Sequence, residues 1–267
     1  MLSFLKKKGP PDSEAVAMRA IVLRHVVVYA QTTPPREMLA EMMKSWTRDD
    51  VVKFGDESRA RRDEYWKRLG PYRKHLTPLE RAFAETTMES MSLRQQIDAS
   101  WRVEAFQALV WALGLLQNLP PVGQPADEEL LKSFPPTEPG SFVKHAALRP
   151  GPALEAARSV AELWHWRSRT RDLIERGDAF PQSPQMLAAG IRSYDDIVRT
   201  TAQHARANGD LVTTIDNDFP VGEKAFRDLS PEEWSEVRSM IVERHFALNW
   251  ICGLAPSNQW DDTPTDT

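Results

Sequence analysis

Cysteine is nearly absent: Cys252 is the only one in 267 residues. A lone thiol excludes an internal disulfide and any multi-cysteine zinc or iron–sulfur site, so the fold does not rest on an oxidising compartment. A surplus of one charge is lacking too. The net charge is −4 and the pI about 5.9, without the basic surface that displaces counterions from phosphate, so no nucleic-acid partner is expected. The apolar run Ala20 to Ala30 is interrupted by Arg24 and His25, whereas a bilayer takes about 20 apolar residues. In Met1 to Lys8 the charges follow the apolar residues, unlike a signal peptide. The expectation is a soluble cytoplasmic protein that contacts no membrane. Gly-rich phosphate loops, a Gly-x-Ser-x-Gly elbow, HExxH and solenoid-length repeats are missing as well. They leave no catalytic residue to name and no cofactor to expect.

What is present reads as helix. Apolar residues make up 41% and charged residues 27%, which suits a globular chain rather than a disordered one. Nine tryptophans require a substantial core or an aromatic groove. Asp12 or Ser13 caps a helix through about Ala30, although Val26 to Tyr29 alone also suits a strand. Pro35 opens a second helix through about Trp46, and a charged one covers Asp56 to Leu69. Thr77-Pro78-Leu79-Glu80 and Ser230-Pro231-Glu232-Glu233 are capping boxes, in which hydroxyl and carboxylate each satisfy a free backbone N–H. They start helices over Pro78 to about Thr86 and Pro231 to Ile251. Leu93 to Asn118 is the strongest helix, apolar on nearly every face from Val103 to Leu116, as in the middle of a bundle. Further helices run over Pro152 to Arg176 and Tyr194 to Ala207. Pro120 to Gly140 reads as a Pro-rich loop with one helical turn near Asp127 to Lys132, and Leu211 to Ile215 as a short strand without an obvious partner. Residues 1–12 read as flexible. The expectation is an all-α, single-domain bundle over 1–267, with seven or eight helices around the central apolar one.

Four stretches carry a resemblance: Ser13 to Val28 (SEAVAMRAIVLRHVVV), Trp101 to Pro121 (WRVEAFQALVWALGLLQNLPP), ELWHWRSRTRD within Arg149 to Asp172, and Val242 to Thr267, with VERHFALNWICG and a closing WDDTPTDT. Together they resemble a bacterial family, the domain of unknown function DUF4272. The second and fourth stretches are the specific ones, and order and spacing fit most of the chain. The chain lacks an N-terminal block that the family often carries. It also has Ala126-Asp127 where a Cys-Asp pair is expected. The resemblance implies an all-helical bacterial protein and carries no activity with it.

Polar residues on apolar helix faces form the candidate site. Glu104 lies with Trp101, Ala108 and Trp111; Arg171 lies with Val160, Trp164 and Ile174, with Arg167 between; Arg244 lies with Val237, Ile241, Leu248 and Ile251. Unpaired buried charges are costly, so these groups should find partners, and Arg with a carboxylate is the favoured pair. Asp261, Asp262 and Asp266 reach Arg244 or Arg171 if an ordered tail folds back on the helix of Arg244, with Trp260 as its anchor. Three readings stay open. One is a structural network tying three helices and the tail. The second is a small anionic ligand held by Arg171 and Arg244. The third is a metal on His165, His245, Glu104 and Asp261, against which stands the lack of a close His pair. No metal is expected. His245 and Asn249, one turn apart, suit a surface hydrogen bond. Cys252 sits at a helix C-terminus, where the dipole opposes a thiolate. Basic residues interleave with Tyr65, Trp66 and Tyr72 between Arg59 and His75, but Asp56, Glu57, Asp63 and Glu64 dilute them into a solvated face. Two function classes follow: a non-catalytic binding or interaction protein of the bacterial cytoplasm, immunity-like among its forms, or an enzyme or small-molecule sensor for an anionic ligand at the Arg/His cluster.

Overall fold

The computed structural model describes residues 9–265. Helix α1 (Ser13–Thr32) starts where the Asp12 carboxylate accepts from the Ala15 N–H at 2.8 Å. Val26, Val27 and Tyr29 are buried within it, so tertiary packing turns a strand-like run into helix. Next come α2 (Arg36–Met43), α3 (Arg48–Lys67), α4 (Pro78–Ala84) and α5 (Leu93–Ala112). The loop that follows holds α6 (Glu128–Ser133) and α7 (Pro139–Lys144). Then come α8 (Gly151–Glu175), α9 (Pro184–Ala188), α10 (Tyr194–Asn208), the two-residue strands β1 (Pro220–Val221) and β2 (Lys224–Ala225), and α11 (Pro231–Ile251). The class is all-α. Eight of these helices have seven residues or more, and three have five or six.

The structure corrects four details. First, α3 begins at Arg48 rather than Asp56, because Thr47 and Asp50 form a complete capping box. Second, α5 stops at Ala112 rather than Asn118. Gly114 takes a left-handed φ of +75° there, and Arg149 captures the freed carbonyls of Trp111, Leu116 and Gln117. Third, Leu211 to Ile215 is no strand: Leu211 is buried, Val212 is open to solvent, and Ile215 makes one bridge to Asp218. The antiparallel pair lies farther on, with Pro220 opposite Ala225. Fourth, residues 9–12 are not loose, since Pro11 is buried and Pro10 packs against Gly253. Residues 1–8 lie outside the described residues.

Helix α1 packs on α5, α5 on α11, and α11 on α8. Every residue from Glu104 to Leu113 is buried, as expected for the middle of a bundle, and α1 is buried as deeply. These helices, the last turns of α11 and Trp260 form the larger core. A smaller core joins Trp164, Ala202, Ala205, Leu211, Phe219, Phe226, Leu229, Val237 and Ile241. Among the described residues no helix is long and apolar enough to cross a membrane.

Candidate functional site

The misplaced charges of α5 and α11 do meet. Arg244 Nε donates to Glu104 Oε2 at 2.8 Å, and Glu104 is fully buried. The rest of the guanidinium binds backbone: Nη1 reaches Pro120 O at 2.7 Å and Nη2 reaches Gln124 O at 2.8 Å. The second oxygen of Glu104 accepts from Ala126 N–H at 2.8 Å. One ion pair therefore suspends the segment 120–126 on two helices.

The tail docks on α11, but not through the expected Arg–Asp pair. Trp260 is buried against the rings of Phe246 and Trp250, at 4.9 and 5.1 Å between centroids, with the guanidinium of Arg19 over its face. The tail thereby lies beside Arg19 and α4, while Arg244 is already filled from the side of α5. Asp261 accepts from Leu79 N–H at 3.4 Å, and Asp262 is exposed. Asp266 lies outside the described residues. Two side chains of α11 also tie the tail: Asn249 Nδ2 donates to Pro264 O at 2.8 Å and Trp250 Nε1 to Asn258 O at 3.0 Å.

Arg167 and Arg171 of α8 hold a different segment. Arg167 makes two 2.6 Å bonds to Asp218. Asp218 also accepts from the N–H groups of Phe219 at 2.7 Å and Arg227 at 3.0 Å. Arg171 donates to the carbonyls of Phe226 and Leu229, both at 2.9 Å, and reaches Glu175 at 3.3 Å. Asp218 is the partner the sequence reading missed. Its only signal was a buried Arg167 in need of a carboxylate.

His165 and His245, 80 residues apart, bring their Nδ1 atoms to 2.8 Å. Asn249 Nδ2 faces both Pro264 O and His245 Nε2, the latter at 3.0 Å. A carbonyl only accepts, so Nδ2 donates to both, and the proton of neutral His245 sits on Nδ1, facing His165. Burial, and then the neighbouring His165, push His245 down to about 4. The bond from Asn249 is thus interior rather than on the surface. The four residues considered for a metal are not gathered: Glu104 serves Arg244 and Asp261 serves Leu79. Among the described residues no group of three or more His, Cys, Asp or Glu converges. Burial, followed by the charge of Glu155, pushes the Cys252 thiol up to about 12.

Between the two cores lies a cavity of about 630 Å³. Ala157, Val160, Ala161 and Trp164 of α8 form one wall, and Ile241, Arg244 and Leu248 of α11 another. The strap Leu119–Gln124, the segment 210–213, Pro220 and Gly222 line its other sides, and it is open to solvent. Strap and hairpin touch at Gly123, whose φ is +93° and where a Cβ would come within 2.6 Å of Val221 Cγ1. The lining comes from separate stretches of chain, so no motif announces it.

Residues 8–183 match the family model of the domain of unknown function DUF4272. The chain belongs to the DUF4272 family. The match contains three of the four resembling stretches and ends before the fourth, Val242 to Thr267. In this DUF4272 protein the strap and the α8 wall of the cavity lie inside the matched span, and the α11 wall lies beyond it. No curated protein and no solved structure matches the chain.

Proposed function

We propose that this DUF4272 protein is a non-catalytic binding protein that holds a small molecule in the cavity between α8 and α11. One observation carries the reading: a space of about 630 Å³ with mostly aliphatic and aromatic walls. Protein interiors are otherwise close-packed, and small-molecule sites fall in the range of about 300–1,000 Å³. The Arg and His groups around it are engaged with internal partners, which supports a structural part for them. The single half-buried thiol supports a cytoplasmic setting. The test is a fluorescence titration with 1-aminoanthracene, beside the variant Ala161→Trp, which fills the cavity. Saturable binding to the wild-type chain, lost in a variant that keeps its helical content, is the expected result. Equal binding by both chains, or none by the wild type, would sink the reading.

A second reading, a partner-binding and immunity-like protein, is favoured by exposed apolar side chains on two neighbouring stretches of chain. Met38 and Met42 on α2 and Val51 and Val52 on α3 are exposed. Its test is a stoichiometric co-purifying protein that Met38→Glu with Val52→Glu removes and Ala161→Trp does not. Retention in the charged variant argues against it.

A further inference from the structure

We infer that the cavity takes an organic cation, an apolar body carrying an ammonium head, with the head at Asp210 and the body against α8 and α11. The inference rests on the cavity being the binding site and adds the charge of what it binds.

The sign follows from which charges around the cavity already have partners. Two charged side chains border it, Arg244 and Asp210. Arg244 is buried, and Glu104 neutralises it from α5. Its remaining donors go to the carbonyls of Pro120, Pro121 and Gln124. An anion would have to compete with a carboxylate and three carbonyls for those donors. Asp210 differs. It is exposed at the rim of the cavity, and among the described residues its carboxylate forms no ion pair or hydrogen bond.

Backbone fixes where Asp210 stands. Gly209, with φ +83°, ends α10, and the Asp210 N–H donates to Ala205 O at 2.8 Å. The next residue, Leu211, is buried in the smaller core. The Cα of Asp210 is thereby held beside the apolar walls. The other stretches add no base. Leu119 to Ala126 contains no charged residue. Glu223, next to the lining Gly222, is exposed and likewise without a partner among the described residues. Lys224 is held by Glu233 at 2.7 Å. Arg206, in the last turn of α10, is exposed and does not line the cavity. The lining thus offers one unpaired carboxylate and no unpaired base.

A cation whose body lies among Val160, Trp164, Ile241 and Leu248 brings its head to that carboxylate. An ion pair at an exposed rim contributes little by itself. The walls therefore carry the affinity, and Asp210 carries the preference.

Three probes test this: 1-naphthalenemethylamine, a cation at neutral pH; 1-naphthalenemethanol, uncharged; and 1-naphthoate, an anion. The wild type should bind the amine about three- to five-fold more tightly than the alcohol, and the anion most weakly. Asp210→Asn keeps the size of the side chain. It should bring the amine down to the level of the alcohol and leave the alcohol unchanged. Glu236→Gln, at an exposed position of α11 outside the lining, changes the net charge equally and should leave the preference intact. Sodium chloride at about 1 M should shrink the preference, since it screens charges beyond about 3 Å. Ala161→Trp should remove binding of all three probes. An amine that binds no more tightly than the alcohol, or that keeps its advantage in Asp210→Asn, overturns the cation and leaves the cavity reading standing. An equal loss in Glu236→Gln overturns it too, because the preference would then belong to the acidic chain as a whole. If neither the naphthalene probes nor 1-aminoanthracene bind the wild type, or if binding survives Ala161→Trp, the cavity reading falls with the inference.

Discussion

The two cores of this molecule are built by different means. The larger one is made by helices: α1, α5 and the end of α11 bring apolar faces together, and their backbone groups are satisfied within each helix. The smaller one covers the stretch between α10 and α11, which has little regular structure beyond a two-residue strand pair. Its backbone must be satisfied by side chains, and the buried charges serve that end. Asp218 takes two N–H groups as well as Arg167, and Arg171 takes two carbonyls. Where the chain forms no ladder of its own, buried Arg and Asp replace it, because an unpaired buried backbone group costs as much as a lost hydrogen bond.

That contrast breaks first at Asp218. Asp218→Ala strands Arg167 and two N–H groups, and removing one partner of a buried pair costs about 3–5 kcal/mol. Urea melts should show that loss, and amide exchange should rise first across residues 210–229. An unchanged midpoint would mean that the smaller core does not depend on charge. In the larger core, Leu109→Ala leaves a cavity in a fully buried position, at a cost of about 2–5 kcal/mol. Here exchange should speed up throughout the molecule. Loosening confined to 210–229 would contradict the division.

The seam of α8 and α11 that carries His165 and His245 sharpens the comparison with a smaller effect. Burial pushes His245 down to about 4 from its ordinary 6.5. As pH falls below 6.5 the unfolded chain takes up the proton first, so this contribution is complete above that pH and is lost toward 4. Between pH 7.5 and pH 5 the loss is about 2 kcal/mol, at about 1.36 kcal/mol per unit. Paired urea melts at the two pH values measure it, and His245→Phe should flatten the difference. An equal slope in the variant would assign the acid loss elsewhere.

Much of this is legible in the sequence. Helix starts at Asp12, Thr77 and Ser230 fall where their capping chemistry puts them. Glu104 and Arg244 stood out as charges on apolar faces and found each other across 140 residues. Trp260 marked a tail that packs. The misses have a common cause. Periodicity describes the faces of one element and says nothing about which distant segment meets them. Arg167 stands out in the sequence, but its partner Asp218, 51 residues away, does not. The Asp residues of the tail looked right for Arg244 by charge, yet α5 brings Glu104 nearer.

Residue order alone dictates the helical class, the long helices, the deep burial around Leu109 and the presence of paired charges inside. These depend on residue spacing, caps and the cost of burying a lone charge, all of which act locally or within one helix. The partner of each arginine, the meeting of His165 with His245, and the cavity beside the Leu119–Gln124 strap arise only from packing in three dimensions. Those depend on how packed helices bring remote segments within a few ångströms, and no local pattern in the chain encodes that distance.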